Sequence, residues 1–261
     1  MVLPYIDTHC HLDSVLQRLK LEHFSDLRQQ HLPSEFGGCV TISCDPLAIK
    51  PTLALLEEEN VYGAFGIHPH EAKTYSPEIE AEIERALKHP KCVAYGEIGL
   101  DYHYDFSPRE EQCQVFASQI VLGVKSRKPL IIHTREAEED TLKILGEYAP
   151  KNWPMHVHCF TSSADFAEQL LQAFPKLMIG FTGIVTFKNS DLVREAVRRV
   201  PLDRMLVETD APYLAPTPFR GQIAHPGHIP LIVATLAALK ERSLEETSQI
   251  LYQNARAFYR I

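Results

Sequence analysis

Eight short apolar segments recur along the chain and alternate with segments of helical periodicity. The apolar segments are rich in β-branched and aromatic residues, which is typical of buried strands. They comprise residues 5–11, 39–44, 61–68, 92–100, 129–134, 155–160, 177–183 and 205–210. Strands that are apolar on both faces and alternate with helices indicate parallel β–α units.

The segments between the strands carry apolar residues at the spacing of amphipathic helices. Ile79, Ile83 and Leu87 recur every fourth residue ahead of Pro90, and helices commonly end before a proline. Similar one-sided patterns occur within 116–124, 166–174 and 191–200. We also expect residues 14–37 to form an extra helical insertion in the wall around the mouth of the sheet.

These units predict a single domain, residues 1–261, with the α/β fold of a (β/α)8 TIM barrel. A chain of 261 residues is close to the length that such barrels use, about 250 residues. The open doubly wound sheet is the alternative architecture, but eight strands in this length favour the closed barrel. No linker or low-complexity segment divides the chain.

The composition excludes several classes of protein. The formal net charge is −8, so the chain lacks the basic footprint of a non-specific DNA-binding protein. Bound metal ions would then supply the local attraction for a nucleic acid. We find no membrane span or secretory signal, and the six cysteines form no CxxC pair. We expect a monomer inside the cell, cytoplasmic or nuclear, that does not bind membranes.

Most of the predicted strands end in a histidine or a carboxylate. In a TIM barrel these strand ends meet at one rim, where active sites lie. Buried polar groups are costly unless they have partners, so such a cluster requires an explanation. In chain order the residues are His9, His11, His68, Glu97, His133, His158 and Asp210.

Each of these side chains has an ordinary explanation when it is taken singly. An HxH pair arises by chance, a glutamate can be solvated at a strand end, a histidine can be satisfied in a core, and an aspartate can cap a turn. Together these explanations need several coincidences at one rim, so the joint pattern predicts a metal site. Asp7 shares a strand face with His9 and His11, and we expect it behind the ligands.

The ligand types indicate the kind of metal site. Imidazoles with carboxylates suit zinc, manganese, iron or nickel better than an all-oxygen calcium site. Without His68, the cluster offers four histidines and two carboxylates, and six ligands exceed the needs of one open catalytic zinc. We therefore predict two divalent ions (zinc, magnesium or manganese) that share one carboxylate, an arrangement that assists phosphoryl displacement.

The motif series resembles that of the TatD-type metal-dependent deoxyribonucleases within the amidohydrolase superfamily. The motifs cover essentially the whole chain in order and are DTHCHLD, GIHPH, GEIGLDY, IIHTRE, HVHCF and LVETDAPYLAP, followed by the tail NARAFYRI. The resemblance implies a barrel that hydrolyses phosphodiester bonds of DNA, with RNA as the alternative substrate. The expected activity is that of a 3′→5′ exonuclease, an apurinic-site endonuclease, or both. Single-stranded nucleic acid or 3′ ends are the expected substrates, and DNA repair is the expected role.

The resemblance also implies roles for individual positions. It assigns one metal ion to His9, His11, Glu97 and Asp210. It assigns the second ion to Glu97, His133 and His158, so that Glu97 forms the bridge. A hydroxide activated by both ions would attack phosphorus, and Asp210 would orient it and accept its proton.

Further positions are expected to contact the substrate. The resemblance implies that His68 and Arg135 bind the scissile phosphate, and that Asp101 and Glu208 contact the substrate or lie behind the ligands. Rings and cations at the predicted mouth suit stacking on unpaired bases, although ordinary loop packing is the alternative for each. These residues are Tyr102, His103, Phe187, Lys188, Tyr213, Phe219 and Arg220.

One segment departs from the family pattern. The chain reads RGQIAHP from Arg220 to Pro226, where the family commonly has R-G-x-R-N-x-P. A basic residue and an asparagine are lost and His225 is gained, which makes His225 a further candidate substrate contact. This AHPG form resembles the branch that contains the larger eukaryotic TatD-domain proteins.

Two other classes of protein remain open at this point. An amidohydrolase that cleaves a C–N or ester bond often carries a lysine-derived bridge on the fourth strand, where this chain has Glu97. A non-catalytic scaffold would have lost ligand positions, whereas all of them are present. The phosphoesterase is therefore the favoured function.

Overall fold

Eight parallel strands form one sheet in the computed structural model, which describes residues 4–104 and 106–261. Each strand pairs with its successor in chain order. The strands are β1 Tyr5–Cys10, β2 Phe36–Ser43, β3 Val61–Phe65, β4 Cys92–Asp101, β5 Leu130–Arg135, β6 Met155–Val157, β7 Leu177–Phe181 and β8 Met205–Val207. Residues 1–3 and 105 of the predicted domain lie outside the described residues.

The sheet closes between its last and first strands. Cys10 and Ala211 form a parallel bridge. The His11 N–H donates to the Ala211 carbonyl at 2.7 Å, and the Asp210 N–H donates to the His9 carbonyl at 2.9 Å. The predicted TIM barrel is therefore confirmed, and its closing seam runs through three of the predicted metal ligands.

Amphipathic helices surround the barrel. They are α1 Leu12–Leu19, α2 Phe24–His31, α3 Ile49–Leu55, α4 Pro77–Ala86, α5 Arg109–Lys125, α6 Glu138–Tyr148, α7 Ala164–Ala173, α8 Asp191–Arg199, α9 Ile229–Leu239 and α10 Leu244–Tyr259. The hydroxyls of Ser76, Ser163 and Ser243 accept hydrogen bonds from the first turns of α4, α7 and α10, as N-caps do. Helices α1 and α2 form the predicted insertion after β1. None of the helices described in 4–104 and 106–261 is long and apolar enough to cross a membrane.

The apolar core has two layers. The larger layer lies between the sheet and the surrounding helices. The smaller layer fills the barrel interior and is closed from below by Ala255 and Tyr259 of α10. Its strand residues are Ile6, Val40, Ile42, Ala64, Ala94, Ile131, Met178 and Leu206. Because this lower interior is packed, a ligand can enter the barrel only from the carboxyl ends of its strands.

Several strands are shorter than the sequence predicted. Strands β3, β6 and β8 end at Phe65, Val157 and Val207, so His68, His158 and Asp210 follow the strands instead of ending them. Asp210 has a φ of 55°, in the left-handed region that costs energy for a residue other than glycine. Leaving the sheet frees the backbone to turn these side chains toward one another.

Candidate metal centre

Glu97 on β4 lies at the middle of the polar cluster. Its Oε1 lies 2.6 Å from Nε2 of His158 and 2.8 Å from Nδ1 of His133. The same oxygen lies 3.4 Å from Nε2 of His68, and its Oε2 lies 3.4 Å from Nε2 of His9. One carboxylate thus faces four imidazoles contributed by different strands or strand ends.

Asp210 supplies a second carboxylate, which approaches the same ring nitrogen of His9 as Glu97 does. Its Oδ1 lies 3.5 Å from Nε2 of His11 and 3.7 Å from Nε2 of His9. The His9 ring also stacks on His158 with ring centroids 3.8 Å apart. His9 is therefore the link between the Asp210 side and the Glu97 side of the cluster.

Burial and charge set the protonation states in this cluster. Burial, with His158 close by, lowers the pKa of His9 to about 4, and burial also lowers the pKa of His68. Burial alone would raise the pKa of Glu97, but His158 and His68 hold it well below its ordinary value. Burial alone would lower the pKa values of His11, His133 and His158, but the neighbouring acidic side chains raise them, that of His133 to about 9. His9 and His68 are therefore neutral and ready to bind a metal ion, whereas the other three rings must release a proton to do so.

Several buried ring nitrogens in the cluster have no hydrogen-bond partner among the described residues. They are both ring nitrogens of His9, Nε2 of His133 and Nδ1 of His158. In addition, Nδ1 of His133 and Nε2 of His158 lie 3.1 Å apart beside the same Glu97 oxygen. Nε2 of His133 and Nδ1 of His158 face Asp101 and Glu208 behind the cluster, whereas the unpartnered Nε2 of His9 faces both Glu97 and Asp210. This buried nitrogen, with the two that crowd one Glu97 oxygen, fits divalent metal ions, which would satisfy all three.

The candidate ligand atoms form three groups, and within each group the atoms lie within 4.8 Å of one another. They are His9–His11–Asp210, His9–Glu97–His158 and His68–Glu97–His133. Every residue expected as a ligand is thus brought into the cluster. The geometry adds His68, which we had expected to bind phosphate, and it shares Glu97 between two of the groups.

Two aspartates lie behind the candidate ligands. Oδ2 of Asp101 lies 3.4 Å from Nε2 of His133 and 2.8 Å from Nε2 of His70. Asp7 accepts hydrogen bonds from the N–H and the hydroxyl of Thr209 at 3.0 and 2.5 Å, and burial raises its pKa to about 7. Asp7 therefore supports the residue before Asp210, in the position expected for it.

Two glutamines of α5, which sequence reasoning missed, hold backbone segments at the strand ends in place. The Gln112 amide pairs with both the N–H and the carbonyl of Asp101, at 2.9 and 3.1 Å. The Gln119 amide pairs in the same way with Ile67, at 2.8 and 2.9 Å. Each side chain takes the place of a neighbouring strand, which fixes the backbone beside His68 and at Asp101.

Glu208 belongs to a fully buried polar chain beneath the cluster. Its Oε1 lies 3.8 Å from Nδ1 of His158, and its Oε2 lies 3.0 Å from Nε2 of His156. Nδ1 of His156 lies 2.8 Å from the Tyr259 hydroxyl of α10. Burial would raise the pKa of Glu208, but His156 and the neighbouring histidines hold it at about 2. Glu208 is thus an ionised carboxylate behind His158, and His156 and Tyr259 are members that sequence reasoning missed.

The rim around the cluster carries rings that are covered by guanidinium groups. Arg18 lies 4.7 Å from the centroid of Tyr213, and Arg220 lies 3.7 Å from that of Phe187. The Arg109 guanidinium covers Tyr102 at 4.3 Å, and the Tyr102 hydroxyl donates to Asp140. These pairs bring positive charge to one end of an acidic protein.

Two further rings and one arginine complete this side of the rim. Arg135 lies 5.0 Å from the centroid of Tyr104, and Tyr104 stacks on Phe106. Sequence reasoning missed both rings because neither ends a strand, although the run of aromatic residues after Asp101 is visible in GLDYHYDF.

His225 packs against its own loop and against the last residue of α2. Its ring lies 3.9 Å from that of His228 and 4.8 Å from that of His31, between centroids. The His228 ring stacks in turn on Phe219. His225 therefore supports the loop that carries Phe219 and Arg220.

The barrel and the histidine–carboxylate cluster at its carboxyl end define a class, the TIM-barrel metal-dependent hydrolases. Residues 6–260 match the family model described as TatD related DNase. The chain belongs to this family, which confirms the resemblance seen in the motifs.

Curated relatives cover the whole chain. The human 3′-5′ RNA nuclease TATDN2 is 42% identical over an alignment of 265 positions, which covers 98% of this chain and 35% of the human protein. The chain thus spans about a third of that relative's length. YabD of Bacillus subtilis, described as an uncharacterized metal-dependent hydrolase, is 37% identical over 98% of both chains.

Solved structures give the same fold. The Escherichia coli TatD homologue YJJV has a TM-score of 0.89 at 28% identity, over 100% of both chains. A TatD family hydrolase from Entamoeba histolytica has a TM-score of 0.85 at 22% identity, over 99% of both chains. The second likeness supports the fold alone.

Proposed function

We propose that the chain is a metal-dependent nuclease that removes nucleotides from the 3′ ends of single-stranded DNA and RNA. The convergence of four imidazoles on Glu97, with Asp210 beside His9, carries this proposal. The human relative that is named a 3′-5′ RNA nuclease supports the direction of cleavage and adds RNA to the DNA expected from the motifs.

In this proposal two divalent ions occupy the cluster. His9, His11, Glu97 and Asp210 would hold one ion, and Glu97, His133 and His158 would hold the other, as the resemblance implies. All six side chains lie in the cluster. When bound, such ions lower the pKa of water toward about 7 and neutralise charge on phosphate oxygens.

Asp210 is the carboxylate that would accept a proton from the attacking water. Its side chain keeps 15% of its surface exposed, whereas that of Glu97 keeps 3%. A water molecule from the mouth can therefore reach Asp210, while Glu97 stays enclosed by imidazoles. Asp210 is then the general base and Glu97 the fixed anionic centre.

His68 and Arg135 are suited to hold the scissile phosphate. Nδ1 of His68 accepts the N–H of His70 at 3.1 Å, so the neutral ring carries its proton on Nε2. That N–H faces the cluster, 3.4 Å from Glu97, and can donate to a phosphate oxygen. Arg135 adds a guanidinium at the same rim, where charge accumulates in the transition state.

A cleavage panel tests the proposal. The purified chain is supplied with zinc, manganese or magnesium and offered a 3′-tailed DNA, an RNA, a DNA–RNA hybrid and an abasic duplex. We expect stepwise 3′→5′ shortening of the single strands, abolished by EDTA and by His133→Ala, and the abasic duplex tests the endonuclease activity. Metal binding without cleavage of any polynucleotide would contradict the proposal and favour an amidohydrolase acting on C–N or ester bonds.

A further inference from the structure

Tyr104 and Phe106 form an exposed aromatic pair beside the metal centre. Their rings are stacked, with centroids 5.4 Å apart and planes 18° from parallel. The exposed fractions are 42% for Tyr104 and 55% for Phe106. Aromatic rings normally gain free energy from burial, so two adjacent exposed rings at the mouth of a site indicate a surface that a ligand covers.

The pair is tied to the metal centre through His70. The His70 ring makes a T-shaped contact with each of the two aromatic rings. Its centroid lies 5.4 Å from that of Tyr104 and 4.9 Å from that of Phe106. Nε2 of His70 lies 2.8 Å from Oδ2 of Asp101, and that oxygen lies 3.4 Å from His133. The rings are therefore held at a fixed place relative to a candidate metal ligand.

Backbone contacts hold the same loop. Nζ of Lys73 donates to the Phe106 carbonyl at 3.3 Å. The Ser107 hydroxyl donates to the His70 carbonyl at 2.8 Å. These bonds join the loop after β4 to the turn after β3, so the pair is positioned before a substrate arrives.

Phe106 differs from the rings of the rim that a guanidinium covers. Guanidinium groups cover Tyr102, Tyr213 and Phe187, and Arg135 covers Tyr104. Among the residues that the structure describes, no guanidinium lies over Phe106. Phe106 therefore offers a free face for stacking, with Tyr104 supporting the opposite face.

We propose that Phe106, backed by Tyr104, is a stacking site for the base of an unpaired nucleotide next to the scissile phosphate. This inference rests on the proposed nuclease function. The ligand is a planar heterocycle attached to an anionic phosphate, and Arg135 is placed to meet that phosphate while the base covers Phe106. Stacking tolerates any base but requires one that is free of a duplex, so the site would favour single strands.

The test compares substrates that have or lack the base. A single-stranded DNA with a 3′ tail is prepared in three forms: intact, with an abasic residue at the 3′ terminus, and with an abasic residue at the penultimate position. We expect the metal-loaded wild-type chain to cleave one of the abasic forms with a KM about tenfold higher than the intact form, since stacking favours binding by about that factor. We expect Phe106→Ala to raise the KM for the intact form by about the same factor and to leave kcat within about twofold. This variant should no longer distinguish the intact form from the abasic form that the wild type binds weakly.

Two variants serve as controls. Phe106→Trp keeps a stacking surface, so we expect it to retain the discrimination. Tyr148→Ala removes an exposed ring at the end of α6, so we expect wild-type kinetics. If Phe106→Ala still discriminates between intact and abasic forms as the wild type does, the stacking site is wrong and the nuclease stands. If the wild type cleaves no form with any metal, the proposed function itself fails.

Discussion

The centre and the rim of the same barrel end are built in opposite ways. At the centre Glu97 is enclosed, with 3% of its side chain exposed, and its carboxylate contacts four imidazoles. At the rim Phe106 is 55% exposed and lies on a loop. The difference separates two tasks, because charge that organises metal ions must be buried and fixed, whereas rings that stack on bases must be accessible. Substitutions at the centre should therefore change metal content and kcat, and those at the rim should change KM.

The largest effect is expected at Glu97. Glu97→Gln removes the negative charge that four imidazoles face, and breaking a buried charged network is strongly destabilising. We expect loss of bound metal and a fall in kcat/KM of about a thousandfold or more. Metal analysis and cleavage kinetics on the same preparation check this, and full metal content with activity within tenfold of wild type would show that Glu97 is not the centre.

Asp210 should affect the reaction more than the metal. Asp210→Asn keeps the shape and an oxygen ligand but removes the proton acceptor. We expect kcat to fall by about a hundredfold to ten-thousandfold, with metal still bound and KM nearly unchanged. Wild-type activity from a metal-loaded Asp210→Asn chain would exclude Asp210 as the general base.

Tyr259 tests whether the buried residues below the metal centre, and not only those of the centre and the rim, affect metal binding. It contacts neither the substrate site nor a candidate metal ligand. Tyr259→Phe removes the hydroxyl that lies 2.8 Å from His156, which weakens the support of Glu208 behind His158. We expect the metal dissociation constant to rise about tenfold, with kcat at saturating metal close to wild type. Tyr252→Phe, on the same helix, is the control, and equal metal affinity in both variants would argue against the buried chain.

The smallest effect concerns the stability of the rim. Burial and the neighbouring imidazoles lower the pKa of His225 to about 3 and that of His228 to about 4. As the pH falls below about 6.5, these two histidines bind protons in the unfolded chain before they do so in the folded one. The folded state therefore loses stability as the pH falls below about 6.5.

The measurement is urea unfolding of the wild type and His225→Phe at pH 7 and pH 5. Because the loop lies at the surface, we expect each of the two rings to cost the folded wild type about 1 kcal/mol at pH 5. His225→Phe keeps a ring to stack on His228 but cannot titrate, so its loss should be smaller than that of the wild type by about 1 kcal/mol, because the other buried histidines contribute equally to both proteins. Identical losses in the two proteins would contradict this account of the loop.

The sequence predicted the parts of the site that strand order determines. His9, Glu97 and His133 could be recognised because each lies at or near the end of an apolar strand, and parallel strands bring those ends together. The seam between β8 and β1 followed from closing the barrel. The predicted strand ends at His158 and Asp210 were too long, because the apolar run continues past the point where pairing stops.

Other residues could not be predicted because their role depends on contacts between distant elements. His156 reads as a core residue until Tyr259, 103 residues later, is brought beside it. Gln112 and Gln119 look like exposed helical glutamines, yet both are buried against strand ends. Phe106 lies on a loop, and hydrophobic periodicity says nothing about which loop rings stay uncovered.

Anomalous diffraction from crystals grown with manganese tests the central claim most directly. The account predicts two peaks on either side of the Glu97 carboxylate, about 3.5–4 Å apart. One peak should lie among His9, His11 and Asp210, and the other beside His133 and His158. A single peak, or ions bound away from Glu97, would contradict the two-ion centre on which the proposed function depends.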